Sequence, residues 1–366
     1  MRAVLSGGGT AGHINPAIFI AKKILEKEPD SQILFVGTPN GMENRLVGKA
    51  GFEIRHVEVM GLRRKLTLEN VKAAYLAVTS IGKAKKILRD FRPDVVIGTG
   101  GYVSWPVVRA AASMKIPTLI HEANAFPGLT TRKLAGVADS VCLSFDASRS
   151  YFQGKEKKLA LTGNPTAPEL ETISARKARS ELGISAPFLL SYGGSLGAGA
   201  INEAVFQVAK NYSCKKPIFH THAFGVREYD HWMNLEKSEG ICRFGNVKFS
   251  DYIYDMPKQM MAADLVISRA GAITLAELSC LGKPAILIPS PNVTDNHQYK
   301  NALVYAESGA AVLIEEKDLT PERLTKEIDA LLTSPEKLAK MSENMKKLAH
   351  TGASDKIWDE ICKIRK

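Results

Sequence analysis

The stretch Arg2-Ala-Val-Leu-Ser6 runs straight into Gly7-Gly-Gly-Thr-Ala-Gly-His13 and then into an amphipathic segment. A short buried strand, a glycine turn and a helix in that order open a doubly wound α/β unit. Glycine suits the turn because it lets the backbone bend sharply and bring N–H groups toward an anion at a helix N-terminus. Working outward, Gln32–Val36, Asp94–Ile97, Thr118–Ile120 and Ser140–Leu143 repeat the aliphatic, β-branched signature of buried parallel strands. After Leu161-Thr-Gly-Asn-Pro165 the pattern restarts with Phe188–Ser191, Pro217–Phe219, Leu265–Ser268 and Ala285–Ile288. The second half opens like the first, on Gly193-Gly-Ser-Leu-Gly-Ala198, and a third glycine turn, Gly98-Thr-Gly-Gly-Tyr102, follows Asp94–Ile97. The sequence thus predicts two doubly wound halves, hinged at Gly163-Asn164-Pro165, with a nucleotide cleft between them. The last stretch, Ser334 to Lys366, reads as charged helix, with Ser334-Pro335 as cap and first helical position.

A chain of 366 residues exceeds what one hydrophobic core normally takes. Its composition, 45% apolar and 24% charged, excludes a disordered, collagenous or coiled-coil chain. The formal charge of +11 lies wholly in residues 1–163, which hold 24 Lys and Arg against 13 Asp and Glu. Residues 164–366 hold 25 of each. Five widely spaced cysteines (Cys142, Cys214, Cys242, Cys280, Cys362) form no CxxC, which argues against a zinc ribbon or disulfide framework and for a reduced cytoplasmic setting. The N-terminus opens on a strand instead of a signal peptide, and no apolar run nears the ~20 residues that span a bilayer. Any membrane contact is then expected to be peripheral.

Gly7, Gly9 and Gly12 satisfy GxGxxG, but a nicotinamide site also wants an acid at the end of the second strand. Phe35-Val36-Gly37-Thr38 offers none, and there is no GxxxxGK[ST] loop. His13 has two readings, a ring packed under the glycine loop or a general base at the strand ends. Farther on, Asp264–Ser268 leads through Arg269-Ala-Gly-Ala-Ile273 to Thr274-Leu-Ala-Glu277, where a helix N-terminus would face a diphosphate. Thr274-x-x-Glu277 has the spacing of a capping box, which spacing alone favours over a ribose contact. Pro289-Ser-Pro-Asn-Val-Thr-Asp295-Asn-His-Gln298 is a polar loop long enough to line a cleft. No DxD is present to bring a divalent ion to a sugar nucleotide, and no GxSxG to supply a nucleophile. His220-Thr-His222 puts two rings on one strand face, but no nearby acid or cysteine completes a metal set, so both read as structural.

Gly7-Gly-Gly-Thr-Ala-Gly-His-Ile-Asn-Pro16, Gly100-Gly-Tyr-Val-Ser104, His121-Glu-x-Asn124, Thr162-Gly-Asn-Pro165, Gly193-Gly-Ser195, Arg269-Ala-Gly-Ala-Ile-Thr-x-x-Glu277 and Asp295-Asn-His-Gln298 occur in that order. Together, over about Met1 to Ala311, they closely resemble the MurG glycosyltransferases. The resemblance implies a GT-B fold, two Rossmann-like doubly wound domains facing across a deep cleft. Residues 1–163, with the C-terminal helix 343–366 packed back on them, would form the acceptor- and membrane-facing domain. Residues 164–342 would bind the UDP-sugar. The implied reaction is inverting transfer of GlcNAc from UDP-GlcNAc to the MurNAc 4-hydroxyl of undecaprenyl-diphospho-MurNAc-pentapeptide, lipid I to lipid II, in peptidoglycan synthesis. By position, Thr10, Ala11 and Gly12 would approach the donor sugar and diphosphate, Asn124 the GlcNAc, and Ser195 a phosphate. Ile253 would meet the uracil, Ala272, Ile273, Thr274, Leu275, Ala276 and Glu277 would wrap phosphate and ribose, and Gln298 would reach the sugar hydroxyls. Gly100, Gly101, Tyr102 and Ser104 would serve the acceptor diphosphate, and His13 would be the base. With the family in view, a cap and a ribose contact can coexist at Glu277.

The implied chemistry requires no cofactor and indicates no divalent metal. Its partners would be UDP-GlcNAc, the lipid-linked muramyl-pentapeptide and an anionic membrane surface on the cytoplasmic face, with other cell-wall enzymes nearby. Nucleic acid is not expected, since no recognised motif appears and aromatics do not interleave with the charge. The candidate membrane patch contains Leu62, Arg63 and Arg64, then Tyr75, Lys85 and Lys86, with Trp105 close in sequence to the third glycine turn. Ala11, Ala123, Thr131, Ala167 and Leu196 stand where the family commonly has Gly, Gln, Asn, Arg and Gln. The Ala167 change removes a cation that would bond the leaving diphosphate. Three alternatives therefore stand beside the transferase: a UDP-GlcNAc 2-epimerase-like enzyme, a divergent transferase acting on another lipid-linked acceptor, and a catalytically silent module that binds UDP and transfers nothing.

Overall fold

The computed structural model describes residues 1–60, 68–167, 170, 174–213 and 218–365. The chain divides into two compact units, Met1–Thr166 with His350–Lys366, and Ala167–Ala349. The division thus falls just beyond the Gly163–Pro165 turn. Each unit is a parallel sheet wound with helices.

In the first unit the order is β1 (Arg2–Gly7), α1 (Ala11–Lys27), β2 (Gln32–Gly37), α2 (Glu43–Lys49), β3 (Glu53–His56), α3 (Leu68–Phe91) and β4 (Val95–Gly100). There follow α4 (Ser104–Ser113), β5 (Thr118–Glu122), α5 (Leu129–Leu134), β6 (Ser140–Leu143) and β7 (Leu159–Leu161). The strands lie in the order β3-β2-β1-β4-β5-β6-β7, all parallel. The chain reverses its direction of winding between β1 and β4, and ligands in such folds bind outside the carboxyl ends of the strands at that switch point. The apolar strands β1, β4, β5 and β6 bury nearly every side chain, because helices cover both faces.

In the second unit the order is α6 (Ala175–Leu182), β8 (Phe188–Tyr192), α7 (Gly199–Tyr212), β9 (Phe219–Ala223), α8 (Tyr229–Glu239), β10 (Val247–Ser250) and α9 (Met256–Ala262). Then come β11 (Leu265–Ser268), α10 (Ala272–Leu281), β12 (Ala285–Leu287), α11 (His297–Glu307), β13 (Ala311–Leu313), α12 (Pro321–Leu332) and α13 (Pro335–Lys347). Its sheet runs β10-β9-β8-β11-β12-β13, again parallel, with the switch point between β8 and β11. The last helix, α14 (Ala353–Ile364), belongs to the first unit.

The C-terminal stretch is therefore not one helix. It breaks after α13, and Gly352 takes a positive φ of 65° at the start of α14. The segment expected to return from residue 343 returns only from His350, because the end of α13 stays with the second unit. Ser334 and Pro335 do precede and begin α13, but the serine side chain makes no capping bond. On α14, Ile357 and Ile361 are buried with Ile14, Ala17 and Ala21 of α1. Glu28 then clamps the chain's two ends, accepting from the Met1 ammonium at 3.0 Å and from Arg365 at 3.1 and 2.6 Å.

His220 and His222 lie on β9 and are fully buried. Ser191 Oγ sits 2.8 Å from His220 Nε2 and 2.8 Å from His222 Nδ1, and His222 Nε2 lies 3.1 Å from Asn202 Oδ1. Asn202 spends its amide hydrogens on the Phe224 carbonyl and Glu228, so its oxygen must accept from His222. That makes His222 Nδ1 an acceptor for the Ser191 hydroxyl, and His220 Nε2 a donor to the same oxygen. Burial pushes both rings well below the usual histidine range, His220 to about 3. They are neutral struts tying β9 to β8 and α7.

Candidate functional site

In the first unit the glycine turn after β1 packs against the turn after β4. The Gly8 N–H donates to the Gly100 carbonyl at 3.3 Å. Gly101 has a φ of +77°, and a Cβ there would sit 2.2 Å from the Gly8 carbonyl oxygen. Gly100 has a φ of +108°, and its Cβ would meet the His13 ring at 2.6 Å. Two turns far apart in sequence thus touch through backbone, which only glycine permits. His13, the third residue of α1, is half-buried beneath them. Its Nδ1 is 3.2 Å from the Gly8 carbonyl and 3.3 Å from Thr10 Oγ1. A carbonyl can only accept, so this contact assigns the neutral ring's proton to Nδ1 and its lone pair to Nε2. A histidine in that tautomer is suited to take a proton at Nε2. Thr10 and Gly12 are exposed and Ala11 is half-buried at the start of α1.

The expected acceptor residues separate. Gly100 and Gly101 serve the turn-to-turn contact. Ser104 is 1% exposed, and its hydroxyl is shared between the Ser6 and Gly100 carbonyls, both at 2.7 Å. It holds the turn and does not face solvent, so its expected ligand role is corrected to a supporting one. Tyr102 alone of the four presents a large exposed side chain. Trp105 packs against the core of the unit, with Arg109 over its ring at 5.6 Å. Leu62, Arg63, Arg64 and the Tyr75 side chain lie outside the described residues. Lys85 is half-buried and Lys86 exposed on α3, whose Ile81 packs inward.

Asn124 follows Glu122, a fully enclosed carboxylate at the end of β5. Glu122 accepts from the Asn124 N–H at 3.0 Å, Asn124 Nδ2 at 3.2 Å, the Gly128 N–H at 3.0 Å and the Thr131 hydroxyl. Burial raises its pKa against those bonds. Thr131 thus gives this carboxylate a donor even though it replaces the family's usual Asn. Next to it, His121 is buried, 3.2 Å from the Gly163 carbonyl and 3.1 Å from Ser144, and desolvation lowers it to about 4.

In the second unit the turn after β8 is built the same way as the first. Gly197, at φ +87°, would place a Cβ 2.1 Å from the Phe224 carbonyl oxygen, and Gly225 packs onto Gly197 in return. Ser195 and Leu196 stand exposed at its tip, and the Ser195 carbonyl accepts from Val226 at 3.4 Å. Across the switch point, α10 begins at Ala272 and is capped by Gly271, with no side-chain capping bond. The capping-box reading of Thr274 and Glu277 is therefore overturned. Gly271 takes the extended capping conformation three residues earlier, so Thr274 already lies inside the helix. Glu277 is released from that role. It is half-buried, and desolvation pushes its carboxyl up to about 7. Beside it, among Ser268, Thr274 and Glu277, lies the buried Tyr192 phenol, which makes no hydrogen bond of ordinary length.

Arg269 braces this corner, donating to the Ile288 and Pro289 carbonyls at 3.2 Å and pairing with Glu316. Gln298 Oε1 accepts from the Ser290 N–H at 2.9 Å, which fixes the amide's orientation in the polar loop. Asp295 and Asn296 in that loop both adopt positive φ. Ile253 is buried to 5% exposure, so it could meet a ligand only through its backbone, whereas Leu275 is 0% exposed, backbone included, and its expected ligand contact is corrected to a buried, supporting position. Ala276 and Ile273 are half-buried on α10. Among the described residues, no group of three or more His, Cys, Asp or Glu side chains is placed to hold a metal ion.

Residues 3–143 match the glycosyltransferase family 28 N-terminal domain, and residues 188–357 match its C-terminal domain. The chain belongs to glycosyltransferase family 28. A relative from Acetivibrio thermocellus, named UDP-N-acetylglucosamine--N-acetylmuramyl-(pentapeptide) pyrophosphoryl-undecaprenol N-acetylglucosamine transferase, is 45% identical over 100% of this chain and 99% of its own. The crystal structure of Acinetobacter baumannii MurG covers 99% of each chain at 30% identity, with a TM-score of 0.79. The two parallel, Rossmann-like units of this family 28 chain are those of the GT-B glycosyltransferases. The fold by itself is shared more widely. UDP-GlcNAc 2-epimerase from Neisseria meningitidis, crystallised with UDP-GlcNAc, gives a TM-score of 0.67 over 99% of this chain at 18% identity.

Proposed function

We propose that this chain transfers GlcNAc from UDP-GlcNAc to the MurNAc 4-hydroxyl of undecaprenyl-diphospho-MurNAc-pentapeptide, with inversion. The observation that carries the reading is 45% identity, end to end, with a relative named for that transfer. The epimerase likeness is one of fold alone. His13 Nε2 takes the proton of the acceptor hydroxyl as its oxygen attacks the anomeric carbon. The bond from that carbon to the UDP oxygen breaks, and the electron pair leaves on the diphosphate. Backbone N–H groups of the Gly193–Ala198 turn and of the α10 N-terminus face the growing negative charge. Glu277 accepts from the ribose, Ile253 meets the uracil by its backbone, and Gln298 and Asn124 address the sugar hydroxyls. Thr10, Ala11 and Gly12 lie along the donor, and Tyr102 lies at the acceptor. The diphosphate is held by N–H groups and a helix end, without a metal or other cofactor.

The same reading places the enzyme peripherally, on the cytoplasmic face of the membrane that holds its acceptor. Among the described residues no helix is long and apolar enough to cross a membrane. The positive charge confined to residues 1–163 suits an anionic bilayer, at about 1 kcal/mol per surface Lys or Arg. The decisive experiment supplies labelled UDP-GlcNAc and a short-chain lipid I analogue, with UDP-GalNAc and UDP-glucose as competing donors. The expected result is UDP release and a β-linked disaccharide lipid from UDP-GlcNAc. Conversion of UDP-GlcNAc to its 2-epimer without any acceptor would overturn the proposal.

A further inference from the structure

The second strand ends without an acid in sequence, yet the fold brings one there. Glu43, the first residue of α2, is 1% exposed. Its Oε1 accepts from the Thr38 N–H at 2.8 Å and the Thr38 hydroxyl at 2.7 Å, and its Oε2 accepts from the Gly9 N–H at 3.4 Å. These donors hold its pKa below the usual carboxylate value although burial pulls the other way. No Lys, Arg or His among the described residues pairs with it at ion-pair distance. Three glycines make room for it. A Cβ on Gly8 would lie 3.0 Å from Oε1, one on Gly37 2.6 Å from Cγ, and one on Gly41 2.1 Å from Oε1. Part of the glycine pattern that looks like an anion cradle is therefore space for an internal carboxylate. An N–H spent on that carboxylate is withdrawn from any phosphate.

The same loop peptide that gives Gly9 N–H to Glu43 gives the Gly8 carbonyl to His13 Nδ1. We infer that Glu43 is a positioning residue for His13: by pinning the Gly8–Gly9 peptide it holds the carbonyl that selects the Nδ1–H tautomer and leaves Nε2 to act. The inference rests on the proposed role of His13, and its test reads the ring directly. In Glu43→Gln the amide oxygen can keep Thr38, but the NH₂ then faces the Gly9 N–H, so the loop bond is the one lost. The His13 ring signals in ¹³C and ¹⁵N NMR, assigned by their absence in His13→Ala, are expected to report Nδ1–H in the wild type and a tautomer mixture in Glu43→Gln. Turnover should fall about tenfold or more while the KM for UDP-GlcNAc stays within about twofold, as expected when a reacting group is misplaced and binding is not. The pH–rate profile should shift, and Glu43→Asp, which keeps both acceptors, should recover part of the loss. Thr38→Val, which spares the Gly9 bond, should lower stability without moving the ring signals. Wild-type ring signals and turnover in a folded Glu43→Gln chain would overturn the inference. If Glu43→Gln does not fold, wild-type ring signals in Glu43→Asp would do so instead. Full turnover in His13→Ala would sink the base assignment but leave the tautomer test standing.

Discussion

Glu277 offers a quantitative test, because its carboxyl is buried at the α10 corner with desolvation as the sole resolved cause of its shift. Its pKa rises from 4.5 to about 7. The folded chain therefore keeps a proton that the unfolded chain has already lost, and stability must fall as pH rises through that interval. The contribution is fully present below about pH 4.5, declines toward pH 7 and is gone above it. At about 1.4 kcal/mol per pH unit, the shift bounds the cost at ~3 kcal/mol, and the side chain's partial exposure trims it to about half. Glu277→Gln keeps the shape and cannot ionise. Urea denaturation of both chains at acid and mildly alkaline pH should give equal stabilities at the acid end. The variant should be about 1–3 kcal/mol more stable at the alkaline end. Ribose hydroxyls donating to the carboxylate would favour its charged form, so UDP binding near pH 6.5 should release a proton. Titration calorimetry in buffers of differing ionisation enthalpy would see that proton in the wild type and not in the variant. Parallel stability curves for the two chains would refute the assignment of a buried, proton-holding Glu277.

The remaining expectations are simpler. His13→Ala should lower turnover by about two orders of magnitude or more and leave UDP affinity nearly unchanged, checked by steady-state rates beside a UDP titration. Ser191→Ala removes the one hydroxyl shared by His220 and His222, stranding two buried ring nitrogens. It should cost about 2–4 kcal/mol in urea denaturation, and a loss under about 0.5 would show that the network relaxes freely. Charge reversal at Lys85 and Lys86 should weaken binding to anionic vesicles, with the difference vanishing at high salt. Binding insensitive to both would remove α3 from the membrane contact.

The strands visible in the sequence were those in the middle of the sheets. β1, β2, β4, β5 and β6, and β8, β11 and β12, each carry an aliphatic run, whereas β9 reads Phe-His-Thr-His-Ala and shares only Phe219 with the expected Pro217–Phe219. The four strands not picked out in the sequence, β3, β7, β10 and β13, are the four sheet edges, and of these β7 and β13 are aliphatic runs of only three residues. An edge strand has neighbours on one side only and is half-solvated, so Glu53-Ile-Arg-His56 needs no continuous apolar run. Spacing misled at Thr274 and Glu277 because a capping box and an in-helix pair share the same three-residue interval. What separates them is where the backbone starts to wind, and Gly271 sets that.

Local sequence was enough to determine two doubly wound units, the three glycine turns and the candidacy of His13, since strand burial, sharp turns and helix starts depend on residues close in the chain. Tertiary structure alone decided which side chains those turns serve. Glu43 reaches Gly9 across 34 residues, Gly101 meets Gly8, and Ser104 is drawn inward to the Ser6 carbonyl across 98. Such contacts satisfy polar groups that burial has stripped of water, and their partners are chosen by the order in which strands pair, which no local spacing encodes.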